Sequence, residues 1–150
     1  MARAIQLSVE NVRSGRGGPF GAVVVKDGGI VAEGVNRVTA NKDPTAHAEV
    51  LAIRDACHKL SLFELKGCDL YTSCEPCPMC LGAIYWARMD KIYFGSLAGD
   101  AAKIGFDDST IYEELSQPYS QRGIPMIPMM REEALAAFRA WEENPKKIPY

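Results

Sequence analysis

Three cysteines and one histidine in this chain have the residue types and the spacing of a zinc site. Cys74, Cys77 and Cys80 form two overlapping Cys-x-x-Cys pairs, and His47 lies about 30 residues upstream. Thiolate and imidazole groups with this spacing are typical zinc ligands. A structural zinc site uses four protein ligands, whereas a catalytic site uses three and leaves one position for water. The choice between the two depends on Cys74.

The elements predicted around the cysteines favour the three-ligand site. Residues 68–73 alternate in polarity and predict a strand that ends beside Cys74, and residues 76–88 predict a helix whose first turn tolerates proline. On that helix Cys77 and Cys80 lie about 60° apart, so both sulfurs can face one ion. Unpaired amides at the helix N-terminus also favour thiolates. We therefore expect the zinc ligands to be His47, Cys77 and Cys80, with Cys74 as a small buried thiol. The site closed by all four residues is the alternative.

Glu49 adds a carboxylate beside the expected metal. His-x-Glu followed by Pro-Cys-x-x-Cys matches the signature of zinc-dependent deaminases. In such a site zinc lowers the pKa of its bound water, and the carboxylate transfers the proton to the ring nitrogen and the leaving amine. Residues two apart on a helix point about 200° apart, so His47 must lie in the first turn for the side chains to converge. The alternative for Glu49 is a solvated carboxylate on a helix surface.

The elements that must position these residues begin with a helix and a hairpin. Residues 1–14 predict a scaffold helix ended by glycines. Its apolar residues share one face: Ile5, Val9 and Val12. Two β-rich runs, residues 19–26 and 29–37, flank Asp27-Gly28, which is a strong hairpin signal. Three consecutive valines in the first run predict a central strand that is buried on both faces.

Strands and helices then alternate as far as the middle of the chain. Residues 45–60 predict a helix with a buried stripe, and residues 91–95 predict a strand after the cysteine helix. The stripe is formed by Val50, Ile53, Cys57 and Leu60. His58 lies about 16 Å along the axis from His47, so we expect a surface histidine. Tyr85 and Trp86 are expected in the core or at an interface. This alternation predicts a layered α/β domain with helices on both faces of the sheet.

The last third of the chain is less regular. Residues 124–130 contain two prolines and predict an edge strand or an extended segment, and residues 132–143 predict a helix with an apolar face that must pack on its own domain or on a neighbouring copy. Two polar residues outside the cysteine motif are candidates for binding a small-molecule ligand. Asn36 ends the second strand and either forms a turn or binds a ligand. Asp108 precedes a short helix and is either its N-cap or a site residue.

Composition limits the class of protein. A chain of 150 residues predicts one domain, residues 1–150. The formal net charge of −2 argues against a large basic face for tRNA or duplex DNA, so no nucleic-acid partner is expected. No apolar stretch is long enough for a membrane span or a signal peptide. Five cysteines, three of them clustered beside a histidine, fit free thiols in a reducing compartment, and the cytoplasm is the expected location.

Longer strings resemble one known family. They are Gly-Gly-Pro-Phe-Gly-Ala-Val at 17–23, Asp-Pro-Thr-Ala-His-Ala-Glu-Val at 43–50, the run from Tyr71 to Arg88, and Gly-Phe-Asp-Asp-Ser at 105–109. The two metal motifs resemble the cytidine deaminase superfamily, and the longer strings resemble its bacterial guanine deaminases across nearly the whole chain. The resemblance implies zinc-dependent conversion of guanine to xanthine and ammonia. It also implies a three-layer α/β/α fold with a five-stranded mixed sheet.

The same resemblance implies a homodimer and a set of site residues. The dimer would exchange its C-terminal segments, about residues 131–150, so that one tail covers the active site of the other subunit. His47, Cys77 and Cys80 would hold zinc, and Glu49 would shuttle protons. Around the substrate, Asn36 would hydrogen-bond the purine, Asp108 would contact its donor edge and accept a proton, Phe20 would pack against the ring, and Tyr150 would close the pocket.

Three other functions are consistent with the metal motif. Guanosine deamination requires a pocket with room for ribose. Deamination of adenosine in tRNA requires a basic surface, which the acidic charge balance disfavours. A non-catalytic, zinc-stabilised binding module requires a closed site that includes Cys74. The motif predicts the type of reaction and leaves the choice of base to other residues.

Overall fold

A computed structural model describes all residues from Met1 to Tyr150. Its contacts divide the chain into two compact units, Met1–Ser109 and Thr110–Tyr150. The first unit contains α1 (Ala2–Arg13), β1 (Gly21–Lys26), β2 (Gly29–Val35), α2 (Val38–Asn41), α3 (Ala48–Leu60), β3 (Cys68–Cys74), α4 (Pro78–Trp86), β4 (Lys91–Ser96) and α5 (Ala98–Ala102). Helix α6 (Ser109–Ser116) starts where this unit ends, and the second unit continues with a 3-10 turn (Tyr119–Gln121) and α7 (Arg131–Glu143).

The four strands form one mixed sheet in the order β2-β1-β3-β4. Strand β1 pairs antiparallel with β2 and β3, and β3 pairs parallel with β4. The predicted hairpin is confirmed, because Asp27 and Gly28 join β1 to β2 with φ angles of 50° and 78°. Positive φ at both central residues is the turn geometry that matches the twist of the flanking strands. The position of β1 inside the sheet explains its run of buried valines.

Helices cover both faces of the sheet, which confirms the three predicted layers. Successive residues of a strand point to opposite faces. Val23 accordingly packs with Ala4 and Leu7 of α1, whereas Val24 belongs to the larger core formed with α3 and α4. Helix α4 connects the parallel strands β3 and β4 and lies beside α3. The N-termini of α3 and α4 therefore come together near the end of β3.

Helix α1 buries a different face from the predicted one. Ala4, Leu7, Ser8 and Asn11 are buried, whereas Ile5, Val9 and Val12 are 45%, 42% and 51% exposed. The reason is a close approach of the helix to Gly21 of β1. A Cβ atom on Gly21 would lie 2.5 Å from the Ala4 carbonyl oxygen and 2.8 Å from the Ser8 nitrogen. Ala4 and Ser8 have short side chains that allow this contact, and Leu7 packs beside it against Val23 of the sheet.

The sheet has four strands, so the prediction of five is wrong for this chain. The segment expected to supply an edge strand, residues 124–130, is not part of any helix or strand. Pro125 and Pro128 have no N–H group to donate to a neighbouring strand, which weakens pairing within this segment. Strand β4 therefore forms one edge of the sheet.

In the second unit, side-chain hydrogen bonds connect α6 to the turn that follows it. Glu114 accepts the N–H of Gly123 at 2.7 Å, and Arg122 donates to the carbonyl oxygens of Gln117 and Leu115 at 3.1 and 3.4 Å. Helix α7 was predicted to within one residue. Its Phe138 and Trp141 are 72% and 45% exposed.

Two further predictions concern exposed residues. Tyr85 and Trp86 of α4 are 74% and 68% exposed, so their expected place in the core is wrong and an interface is still a prediction. His58 is exposed, as predicted. None of the helices combines the length and the apolar character needed to cross a membrane.

Candidate metal and catalytic site

The structure brings together the three residues predicted to bind zinc. The ligand atoms of His47, Cys77 and Cys80 all lie within 4.8 Å of one another. The Nδ1 atom of His47 is 3.6 Å from the Cys77 sulfur and 3.4 Å from the Cys80 sulfur. In tetrahedral coordination, with zinc bonds of ordinary length, nitrogen and sulfur ligands lie about 3.5 Å apart. The donor set and its spacing therefore fit a zinc ion.

Two of the three candidate ligands are N-cap residues of helices. His47 is the N-cap of α3, with φ −74° and ψ 155°, and Cys77 is the N-cap of α4, with φ −64° and ψ 166°. Because the backbone of both residues is extended, their side chains do not follow the angular spacing of the helix. His47 and Glu49 can therefore approach the same site although they are only two residues apart. The prediction that Cys77 lies within its helix is wrong, because Pro78 is the first helical residue. Helix N-termini stabilise negative charge, including that of a thiolate.

The two ligand thiols differ in their affinity for a proton. The pKa of Cys77 is lowered to about 4, chiefly by its side-chain hydrogen bond with Cys80. The same hydrogen bond, together with burial, raises the pKa of Cys80. The hydrogen bond with Cys77 also raises the pKa of His47. A bound metal ion would hold both sulfurs as thiolates.

Glu49 is buried beside these ligands. Its side chain is 4% exposed, so the alternative of a solvated surface carboxylate is wrong. Thr72 donates its hydroxyl to Oε1 at 2.8 Å, and the Cys80 thiol donates to Oε2 at 3.4 Å. Thr72 is fully buried on β3 and was not predicted as a site residue. The period of β3 places it on the buried face with Leu70 and Cys74, where a hydroxyl must find a partner.

Cys74 is separate from the metal group. Its thiol donates to the carbonyl oxygen of Leu97 at 3.8 Å, and the residue is 4% exposed. Burial raises its pKa, which favours the neutral thiol. A protonated sulfur with its own acceptor matches the predicted small buried thiol. Cys74 lies outside the group of side chains that could hold one metal ion, which favours the three-ligand site over the four-ligand alternative.

Asn36 lies beside the loop that connects α1 to β1. It is 6% exposed, and its Oδ1 accepts the N–H groups of Gly18 and Val38, each at 3.3 Å. Two backbone donors require the oxygen at this position, which fixes the orientation of the amide group. The Asn36 amide therefore has its Nδ2 donor for another partner. Its contact with Val38 is the expected turn role, and ligand binding by Asn36 is still a prediction.

Phe20 and Asp108 complete the group of predicted residues in the first unit. Phe20 meets Phe106 edge to face, with ring centroids 5.0 Å apart. Phe106 was not predicted, although it lies within the Gly-Phe-Asp-Asp string. Asp107, and not Asp108, accepts the N–H of Ser109, at 2.9 Å. Burial raises the pKa of Asp108, and the nearby Cys77 acts in the same direction. Asp108 is thus close enough to the metal ligands for their charges to interact.

Tyr150 belongs to the second unit and is 71% exposed. Its role at the pocket is still a prediction.

Known proteins are similar to this chain both in its zinc-binding region and along its whole length. Residues 1–96 match the family described as the cytidine and deoxycytidylate deaminase zinc-binding region. The guanine deaminase of Bacillus subtilis is 54% identical over 150 residues, which cover all of this chain and 96% of that protein. An X-ray structure of guanine deaminase from Bacillus subtilis superposes with a TM-score of 0.96 and covers 99% of this chain and 95% of that one.

A second kind of relative shares only part of the chain. The tRNA-specific adenosine deaminase of Aquifex aeolicus is 48% identical over 79 residues, which are 53% of this chain and 52% of that protein. The zinc-binding region is thus common to deaminases of different substrates. With its three-ligand group and its match over residues 1–96, the chain belongs to the cytidine and deoxycytidylate deaminase family.

Proposed function

We propose that this protein hydrolyses guanine to xanthine and ammonia. The similarity to a guanine deaminase along the entire chain carries the proposal, because it extends beyond the region shared with tRNA deaminases. The geometry of the site supports it, since a carboxylate is buried next to an imidazole and two thiols. This arrangement has the parts of a hydrolytic deamination site.

Zinc is the proposed cofactor, held by His47, Cys77 and Cys80. When bound, it supplies an acidified water as the nucleophile. Three protein ligands leave one coordination position open, as catalysis requires. We expect Cys74→Ala to retain one zinc ion per chain and Cys77→Ser to lose it, as measured by metal analysis after gel filtration. Loss of zinc from Cys74→Ala would contradict the three-ligand site.

Glu49 is the proposed proton shuttle. Its carboxylate takes a proton from the attacking water and delivers it to N3 of guanine, the ring nitrogen beside C2 that carries no hydrogen. It then carries the second proton to the 2-amino group, which leaves as ammonia. Thr72 holds Oε1 through its hydroxyl, so the carboxylate keeps one orientation during both transfers.

Asn36, Asp108 and Phe20 are the proposed substrate-binding residues. Guanine offers donors at N1 and the 2-amino group and acceptors that include O6. The Nδ2 group of Asn36 suits an acceptor, and the Asp108 carboxylate suits the donor edge formed by N1 and the 2-amino group. Phe20, braced by Phe106, offers an apolar surface to the ring. Buried polar groups of this kind reject a base that lacks their partners.

The proposed assembly is a homodimer in which residues 131–150 are exchanged, so that Tyr150 closes the pocket of the partner subunit. Three observations support it. Strand β4 has an unpaired edge, residues 124–130 belong to no helix or strand, and large apolar side chains of α4 and α7 are exposed. Each chain is then one deaminase domain, residues 1–150, completed by its neighbour. We place the enzyme in the cytoplasm, where it would act in guanine catabolism.

A substrate panel tests the proposed activity. The zinc-loaded protein is incubated with guanine, guanosine, adenine and cytidine, and ammonia and the product base are measured. We expect equal amounts of xanthine and ammonia from guanine and much lower rates on the other three compounds. A higher rate on guanosine than on guanine would favour a nucleoside deaminase, and no turnover of guanine would refute the proposal.

A further inference from the structure

Asn11 lies on α1 and connects that helix to the proposed substrate-binding residues. Its side chain is 3% exposed. Its Nδ2 group donates two hydrogen bonds, each of 2.9 Å, to the carbonyl oxygens of Gly18 and Asn36. These acceptors lie in two different connections, the loop before β1 and the segment after β2. One amide group therefore joins three parts of the chain that are distant in sequence.

The backbone around Asn11 is closely packed. A Cβ atom on Gly17 would lie 2.0 Å from the Asn36 carbonyl oxygen and 2.9 Å from the Asn11 Nδ2 atom. The carbonyl of Gly18 also accepts the N–H of Phe20 at 2.8 Å, and the carbonyl of Phe20 accepts the N–H of Asn36 at 3.1 Å. Asn36 in turn accepts the N–H of Gly18 through Oδ1. A displacement of Asn11 would therefore shift Asn36 and Phe20 together.

The cost of burying Asn11 argues for a role beyond packing. Its Oδ1 atom is buried without a hydrogen-bond partner. An unpaired buried carbonyl group is destabilising, and an apolar residue at this position on α1 would avoid that cost. The two hydrogen bonds from Nδ2 are interactions that an apolar residue could not make.

We propose that Asn11 is a positioning residue that holds Asn36 and Phe20 in place for purine binding. The proposal rests on the proposed function, because it needs Asn36 to bind the substrate. Asn11 acts through Asn36 and does not touch the purine itself. Its removal should therefore weaken substrate binding while the proton-transfer residues keep their positions.

Asn11→Ala tests the proposal through the split between KM and kcat. We expect kcat/KM on guanine to fall about tenfold, mainly through a higher KM, because the hydrogen bonds that hold Asn36 are lost. Ser8→Ala is the matched control, since Ser8 is also buried on α1 but donates only to Ile5 of the same helix, at 2.8 Å. This control should keep the kcat/KM of the wild type.

A double-mutant cycle separates positioning from a general loss of structure. In an Asn36→Ala background, Asn11→Ala should cause a smaller further loss, because the Asn36 side chain is already gone and only the effect on Phe20 remains. Equal losses in both backgrounds would overturn the proposal. If Asn11→Ala does not fold, Gly17→Ala replaces it, since its Cβ atom would push against the same atoms from the loop side. Gly29→Ala is the control there, because its Cβ atom would meet Lys26 at an ordinary 3.5 Å.

Amide hydrogen exchange gives a readout that does not depend on activity. The N–H groups of Gly18 and Val38 both donate to Asn36, so Asn11→Ala should raise their exchange rates about tenfold while Leu70 in the sheet keeps its protection. Unchanged exchange at Gly18 and Val38 would overturn the proposal. A wild-type protein that does not deaminate guanine would refute the proposed function, and the exchange rates would still decide whether Asn11 holds Asn36.

Discussion

Glu49 is a carboxylate that the protein buries at an energetic cost. A charged group removed from water must be compensated by hydrogen bonds or by an ion. Thr72 supplies a hydroxyl donor at 2.8 Å, and Cys80 supplies a thiol donor at 3.4 Å. With zinc bound, the Cys80 thiol is expected to lose its proton, so Thr72 becomes the more important of the two donors.

Thr72→Val tests the importance of this hydroxyl. Valine has nearly the same shape but cannot donate, so Glu49 loses the hydrogen bond that orients it. We expect kcat on guanine to fall by about 10- to 100-fold, the range for a hydrogen bond to a charged group. Thr72→Ser keeps the donor and should retain most of the activity. An unchanged kcat in the valine variant, with full zinc content, would show that Glu49 does not need this contact.

The sequence predicted the metal ligands and Glu49 because their signal is local. Two short motifs contain all four residues, and each residue type has few other uses at that spacing. Thr72, Phe106 and Asn11 carried no comparable signal. Each matters through a contact with a residue far away in the sequence, such as Asn36, which lies 25 positions after Asn11. Such contacts follow from packing, which a linear pattern does not describe.

At the scale of the elements, an ion pair connects α1 to the sheet. Arg3 donates to both carboxylate oxygens of Glu33 in β2, at 2.6 and 2.7 Å. Planar, bidentate pairs of this kind are stronger than single contacts. The hydrogen bond from Arg3 lowers the pKa of Glu33 below its ordinary value of 4.5. The pair helps to fix the helix that carries Asn11.

The lowered pKa of Glu33 predicts a pH dependence of stability. A depressed carboxyl pKa adds stability that is present above the unfolded-state pKa and is lost as the pH falls through the folded-state pKa. Wild type should therefore exceed Glu33→Gln in stability at neutral pH, and the difference should shrink below about pH 4.5. Urea denaturation of both proteins over a pH series measures it. A difference that stays constant with pH would show that Glu33 is not coupled to Arg3.

Most elements were predictable, and the exceptions have physical causes. Turn residues, proline positions and alternating polarity marked the hairpin, α3, α4 and α7. The buried face of α1 was not predictable from hydrophobicity, because the close approach to Gly21 is made at Ala4 and Ser8, which are small and carry little hydrophobic signal. The fifth strand was implied by the family resemblance, but residues 124–130 have two prolines and pair with no strand of this chain.

At the scale of the whole molecule, the exchanged dimer can be tested by complementation. One chain carries Glu49→Gln, and the other lacks residues 144–150; each alone should be inactive. In a co-expressed heterodimer with exchanged tails, the truncated chain keeps Glu49 and receives an intact tail from its partner, which restores one of the two sites. We expect about half of the wild-type activity per heterodimer. No restored activity, in a mixture shown to contain heterodimers, would contradict the exchange.

Glu49→Gln measures the central chemical claim most directly. Glutamine keeps the size of the side chain but cannot accept and return a proton, so zinc content should stay at one ion per chain while kcat on guanine falls by at least about 10²-fold. Metal analysis and xanthine formation are measured on the same purified sample. Near-normal turnover with zinc retained would contradict the role of Glu49 as the proton shuttle, and with it this account of the reaction.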